Sequence, residues 1–424
     1  MLASANPNYE WSKQRATPYG ADVIQEWVAG DMLFSGAGAS LYNPKVFRSW
    51  QHDSARIGFS WPESSFYPAV YPPPYFWVVA PLSLVPYRFA VLLWLGLLLL
   101  AYALAVLLIE RFSWAKIEKG SHRLPAIAWC GLLFFPPLFS GLVMGQKGTL
   151  WLLLLVASWQ LGRAGRLFGS GLVWSAIALK PTLFFLLPVI MVLQRQWRFT
   201  GGVIAGVLSM WGVAAIWIPS SLWWDYWQVI SGSASYQSQA GYHDGWSVTL
   251  MSLLHALQLP RWLAWAVWLV LSSAMIVALV QPARWRGVFP VRQSGRFLDH
   301  RSVGNTGETS ECAGVRTVDD ASAALELMSE PVFLLRILLS TALVSPHFYY
   351  YDLVWLIYPL IGIASCTPRR AVGLTAILWL ASLFAQWSPY GWPWMSLVCA
   401  LSLIYLNAQS NRSGTSFAFL RCYQ

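Results

Sequence analysis

Charge is what this sequence has least of. Only 11% of its 424 residues are Asp, Glu, Lys or Arg, whereas 57% are hydrophobic. A soluble domain carries about 25% charged residues, so this chain cannot clothe a water-facing surface of its size. Cysteine is sparse too. Cys130, Cys312, Cys366, Cys399 and Cys422 are scattered and form no CxxC or Cys/His pattern, which implies neither a disulfide framework nor a metal site. Phosphate-binding glycine loops, HExxH, GxSxG and nucleotide signatures are absent, which argues against a cytosolic nucleotide-using enzyme. The net charge of +10 sits in short arginine-bearing loops between apolar runs. That is the positive-inside pattern of a membrane protein, with no basic helix or zinc pattern that would speak for nucleic acid.

What is present is apolar length and aromatic rings. The 27 Trp and 18 Tyr suit two interfacial belts. Residues 89–109 are an uncharged run of 21, enough to cross a hydrocarbon core of roughly 30 Å. The run ends in the basic ERFSWAKIEKGSHR, which places that end in the cytoplasm and residues 1–88 outside. Crossings are expected at 125–144, 148–162, 200–218 and 261–281, with a short apolar stretch at 248–259. Residues 168–193 lie between GRAGR and QRQWR, two flanks that both want the cytoplasm, and Lys180-Pro181 interrupts their middle. Two half-helices meeting at that break satisfy both flanks; a single tilted helix is the alternative. Four more crossings are expected at 331–345, 350–366, 371–386 and 392–408. The reading is an all-α polytopic membrane protein of about eleven spanning or half-spanning helices. It divides into an outer loop at 1–88, a first transmembrane set at 89–281 and a solvated linker at 282–330 that opens with Arg284, Arg286, Arg292, Arg296 and Arg301. A C-terminal set at 331–408 and a tail at 409–424 complete it.

Alternating the sides puts the chemistry-bearing residues together on the outer face. Asp22 opens an amphipathic stretch whose helical part, about 22–34, is expected to lie along the interface with Trp27 and Phe34 toward lipid. Asp22 is also a natural helix-starting residue. The prolines of YPPPYFWVVAPLSLVPY (71–87) predict a short interfacial or re-entrant helix with Tyr71 at its mouth, or a rigid connector. Lys180 is the sharpest single residue, because a lysine in mid-membrane costs about 2.5–3.5 kcal/mol unless it faces a cavity or an anion. Lys147, after Gly145-Gln146, reads on its own as a turn residue. SPHFYYYDL carries His347, Tyr351 and Asp352, with His347 and Tyr351 spaced to share a helical face. An aromatic outer loop is expected at 219–247, where Trp223, Trp224, Asp225 and Tyr226, with His243 and Asp244, make a sugar- or headgroup-contacting surface at best.

Taken in order, DVIQEWVAGDMLFSGAGASLYNP, YPPPYFWVVAPLSLVPYRFAVLLW, GQKGTLWLLLL, LKPTLFFLLPV and SPHFYYYDL resemble the GT-C superfamily, and within it glycosyltransferase family 87. The resemblance implies a GT-C-like bundle in the bacterial plasma membrane. It implies transfer of a hexose, mannose foremost, from a polyprenyl-phosphate donor to a lipid or glycan acceptor, with inversion, on the extracytoplasmic face. No cofactor or obligatory metal is implied. Asp22 occupies the place of the family's essential acid, with Asp31 and Asp53 as fallbacks. Lys180 and His347, with Tyr351, Gln146, Lys147, Tyr71 and Asp352, would surround the donor phosphate and sugar.

Two departures from the family pattern stand out. Lys147 replaces the Asn expected after Gly-Gln. Residues 1–65 also contain no apolar run able to cross, although the family has a spanning helix before its first outer loop. The expectation is a truncated or late-started form of a longer product. The rival readings are a lipid-linked transporter or flippase, in which Lys180 and His347 would line a pathway, and an inactive relative.

Overall fold

A computed structural model describes residues 20–60, 66–111, 134–231, 247–280, 331–345, 348–366, 373, 376–378, 380–381 and 391–412. Among these the chain is all-helical, and its only strand-like feature is an isolated antiparallel bridge between Ser247 and Tyr349. The helices are α1 (Val23–Phe34), α2 (Pro44–Gln51), α3 (Ser54–Ile57), α4 (Pro73–Val79), α5 (Tyr87–Arg111), α6 (Pro136–Met144) and α7 (Gly148–Arg163). There follow α8 (Leu167–Ser175), α9 (Pro181–Phe184), α10 (Leu186–Leu193), α11 (Trp197–Trp217), α12 (Ser220–Ser231), α13 (Leu250–Ala256) and α14 (Arg261–Val280). The last three are α15 (Pro331–Val344), α16 (Ile357–Cys366) and α17 (Gly391–Arg412).

Three of them, α5, α11 and α14, are long and apolar enough to cross a membrane. The surface of α5 shows the solvent it was built for. Ala90, Trp94, Leu98, Ala101, Ala105 and Ile109 form a narrow buried stripe, while Leu92, Leu93, Leu97, Leu99, Leu100, Leu104 and Leu107 stay exposed around it. So much contiguous exposed leucine has no place in water and marks an integral membrane protein. Shorter apolar helices cover Leu167–Leu179, Pro181–Leu193, Pro331–Val344, Tyr350–Ile363 and Met395–Leu406. The expected linker at 282–330 and most of the span at 371–386 lie outside the described residues.

The interruption at Lys180-Pro181 takes the half-helix form. After α8 the backbone tightens into a 3-10 turn at Ala176–Leu179, Lys180 turns extended (φ −124°, ψ 83°), and Pro181 starts α9. Proline has no N–H to give to the preceding turn and fits a helix start. α8 is held against α11 by glycine. A Cβ on Gly171 would lie 2.0 Å from the Phe199 carbonyl oxygen, and one on Gly202 would lie 2.0 Å from that of Phe168. Only backbones without side chains approach this closely, the small-residue packing that joins helices in lipid.

The segment before α5 departs from expectation. α1 does begin just after Asp22, but it does not lie along an interface with Trp27 toward lipid. Trp27 is 5% exposed and its indole N–H donates to the Val85 carbonyl at 2.9 Å, and only Phe34, at the far end, faces outward. The reason is that α4 and the 3-10 turn Ala80–Leu84 fold back over α1. This bend is set by Pro73, Pro74 and Pro81, so α1 is wrapped by protein along most of its circumference.

Candidate active site

Two main-chain hydrogen bonds join the start of α1 to the end of α6. Gly20 N–H donates to Val143 O at 2.8 Å, and Asp22 N–H to Met144 O at 3.1 Å. The turn that follows depends on Gly145, whose left-handed φ of +76° closes α6 and is favoured in glycine. The Gly145 carbonyl accepts the Trp94 indole N–H at 2.7 Å, which fixes the turn to α5. Gln146 and Lys147 are thereby delivered above α1. Asp22 and Glu26, four residues apart, lie on one face of that helix.

The side chains then pair in order. The Gln146 amide donates to the Asp22 carboxylate, and Lys147 forms an ion pair with Glu26 Oε1. Tyr75 Oη–H also donates to Glu26 Oε1, at 2.8 Å. The Lys147 ammonium lies 4.1 Å from the Tyr71 ring centroid and 5.1 Å from that of Tyr75, within cation–π range. Tyr71 is held from behind, since its carbonyl accepts the Tyr42 hydroxyl at 2.7 Å. All of these residues are buried.

A second buried pair closes the site. Lys180 Nζ donates to both oxygens of Asp352, at 2.6 and 2.7 Å, and lies 5.5 Å from the Tyr351 ring centroid. Asp352 lies in the first turn of the 3-10 stretch Tyr350–Leu356, where its Oδ2 also accepts the Tyr349 N–H at 3.3 Å. The two halves sense each other electrostatically, for Asp22 feels both Lys147 and Lys180. Three carboxyl groups therefore face two ammonium groups. Glu26 and Asp352 each have a lysine, whereas Asp22 has an amide. Burial is the main cause that pushes the Asp22 carboxyl up to about 7, against the opposing pull of the Gln146 hydrogen bond and Lys147. Burial likewise holds the Tyr71 and Tyr75 hydroxyls well above the usual phenol range, reinforced by the Glu26 carboxylate.

Of the residues singled out in the sequence, Asp22, Gln146, Lys147, Tyr71, Lys180, Tyr351 and Asp352 come together here; His347 lies outside the described residues. Asp22 starts α1 without capping it, as its side chain makes no hydrogen bond to the first turn. Lys147 is 1% exposed and ion-paired, so it is no simple turn residue. Asp31 and Asp53 sit apart from the site, both bonded to Arg56 (2.9 and 3.1 Å) in a partly exposed cluster. Where an aromatic loop was expected, residues 223–226 lie on the helix α12; Trp224 is exposed there and Tyr226 packs on Tyr42, while His243 and Asp244 are outside the described residues. Sequence reasoning missed Glu26 and Tyr75. The available signal was the four-residue spacing of Glu26 from Asp22 and the need of a buried Lys147 for a counter-charge. Among the described residues no three His, Cys, Asp or Glu side chains group in a way that could hold a metal ion.

Comparison with known proteins adds one finding. The family model for glycosyltransferase family 87 matches residues 69–299, more than half of the chain. The match includes Tyr71, Tyr75, Gln146, Lys147 and Lys180, while Asp22, Glu26 and Asp352 lie outside it. No curated protein and no solved structure matches. The chain belongs to glycosyltransferase family 87 and is therefore a transferase that moves a sugar from a donor to an acceptor.

Proposed function

We propose that the protein transfers a hexose, mannose foremost, from a polyprenyl-phosphate sugar to a hydroxyl of a lipid or glycan acceptor, with inversion. Asp22 is the general base. The observation that carries this reading is the uneven pairing of the three buried carboxyl groups, in which Asp22 alone has no lysine against it. A carboxylate locked in an ion pair is a poor proton acceptor. One that burial has raised to about 7 is well matched to take a proton near neutral pH.

In the proposed step Asp22 accepts the proton of the acceptor hydroxyl as that oxygen attacks the anomeric carbon. The bond from that carbon to the phosphate oxygen breaks, and the electron pair leaves with the lipid phosphate. Lys180 and Lys147 supply fixed positive charge to the departing phosphate in a water-poor setting. Gln146 orients the base, and Tyr71 and Tyr351 hold the two ammonium groups from their ring faces.

The extracytoplasmic orientation rests on charge. The site gathers at the Tyr87 end of α5 and the Gly148 end of α7, whereas Arg111 and Arg163 mark their opposite ends. α5 is about 37 Å long at 1.5 Å per residue, so those ends lie on different sides of a bilayer. Arginine-bearing loops belong to the cytoplasm. The test incubates membranes containing the protein with defined polyprenyl-phosphate sugars and a panel of lipid acceptors. Wild type transfers sugar, and Asp22→Ala inserts normally but transfers none. Full activity in Asp22→Ala would reject Asp22 as the base.

A further inference from the structure

The pairing of Glu26 leaves one of its oxygens over. Oε1 takes both the Lys147 ammonium and the Tyr75 hydroxyl, but Oε2 is buried with no hydrogen-bond partner. Gln146 is in the same position, since its amide N–H goes to Asp22 and its Oε1 is buried and unpaired. A buried acceptor left without a donor is destabilising, more so when it is charged. Such groups call for an explanation, and a ligand that brings the missing donor is one.

The chemistry of that donor can be read from its surroundings. Glu26 is already neutralised by Lys147, and a second cation beside that ammonium would be repelled. The missing donor is therefore neutral, and the neutral donor that the substrates of a glycosyltransferase carry in number is the sugar O–H. It must reach a carboxylate one helical turn from Asp22, where Cβ atoms are about 5–6 Å apart. A molecule with one hydroxyl cannot serve Asp22 and Glu26 together, but a sugar ring can.

We propose that Glu26 is a second substrate-contacting carboxylate. Its Oε2 accepts a hydrogen bond from a sugar hydroxyl other than the one that Asp22 deprotonates, and this restricts the site to polyhydroxylated substrates. The inference rests on the reading of Asp22 as the base. The hydroxyl belongs to the donor hexose or to a sugar acceptor, and the two arms of the experiment tell these apart.

In the first arm, wild type is given a polyprenyl-phosphate hexose and its monodeoxy forms, with a fixed alkyl hexoside as acceptor. In the second, the donor is fixed, and the alkyl hexoside is compared with its monodeoxy forms and with a long-chain primary alcohol. One deoxy position in one arm should lower kcat/KM by about tenfold to a hundredfold, the worth of a hydrogen bond to a charged group. In Glu26→Gln that ratio should shrink severalfold, because the bond that remains is to a neutral amide oxygen. Because Glu26→Gln leaves Lys147 without its counter-ion, the double variant Glu26→Gln/Lys147→Met is run beside it. Comparing ratios within each variant cancels its loss of basal rate. The inference is overturned if no deoxy position discriminates in wild type, or if the discrimination persists undiminished in both variants. If wild type transfers sugar to no acceptor, the reading on which it rests has failed and the inference falls with it.

Discussion

Asp22 and Lys147 show how burial turns ordinary side chains into committed ones. With its carboxyl at about 7, Asp22 is half protonated near neutrality. kcat/KM should fall about tenfold per pH unit below that point, because only the ionised form accepts a proton. Stability runs the other way. Between the ordinary carboxylate range and about 7 the native protein binds more protons at Asp22 than the unfolded chain does, so its contribution to stability declines as pH rises through that window. Asp22→Asn should accordingly melt no lower than wild type in detergent at pH 8, while transferring nothing. Lys147→Ala leaves the Glu26 carboxylate buried and unpaired, which costs about 3–5 kcal/mol. Its melting temperature should drop sharply, and the double variant Glu26→Gln/Lys147→Met should recover most of the loss. A double variant as unstable as Lys147→Ala would show that the pair is not what the lysine provides. Lys180 stood out in the sequence by the cost of burying its charge, and Asp22 by its place in the family resemblance. Glu26 was legible only indirectly: its spacing places it on the face of Asp22, but its partner Lys147 is 121 residues away.

At the scale of helices, local rules carried far. The apolar run at 89–109 became α5, the Lys180-Pro181 break became two half-helices, and the prolines of 71–87 produced a short helix with a turned-back end. The error concerned α1. Its pattern permitted a face toward lipid, but composition could not tell that α4 and the following turn would cover it. Glycine packing makes the clearest prediction here. Gly171→Ala and Gly202→Ala each force a methyl group onto a carbonyl oxygen at 2.0 Å, and overpacking of this kind costs about 1–3 kcal/mol. Gly201→Ala, whose added Cβ would meet nothing within 4 Å, should be neutral or slightly stabilising. Melting of the three variants in detergent separates them, and equal loss in all three would refute backbone contact between α8 and α11.

For the whole molecule the question is sidedness. Ala55, on the segment that carries α1, and Ala164, after α7, are both exposed. In a background lacking the native cysteines, Ala55→Cys should react with a membrane-impermeant thiol reagent in intact cells. Ala164→Cys should react only after the membrane is opened. The reverse pattern would turn the proposed orientation over and move the reaction to the cytoplasm. Charge patterning made this expectation legible in the sequence, because basic loops are local. The arrangement of α1, the α6–α7 turn and the 3-10 stretch Tyr350–Leu356 was not, since it depends on contacts between residues more than a hundred positions apart.

The bonds that seat Asp22 run between main-chain atoms, Gly20 N to Val143 O and Asp22 N to Met144 O. Their weak points are the glycines at 20 and 145, where an added Cβ would stand 2.7 Å from Val91 and from Val23; elsewhere only proline at a donor position removes them. The aim of the carboxylate is thus set by the course of the backbone and by these two glycines, and side chains outside that contact can change without misdirecting it. If Asp22 is the base as proposed, the wall around it can be altered, and with it the sugars handled, while the carboxylate keeps its address.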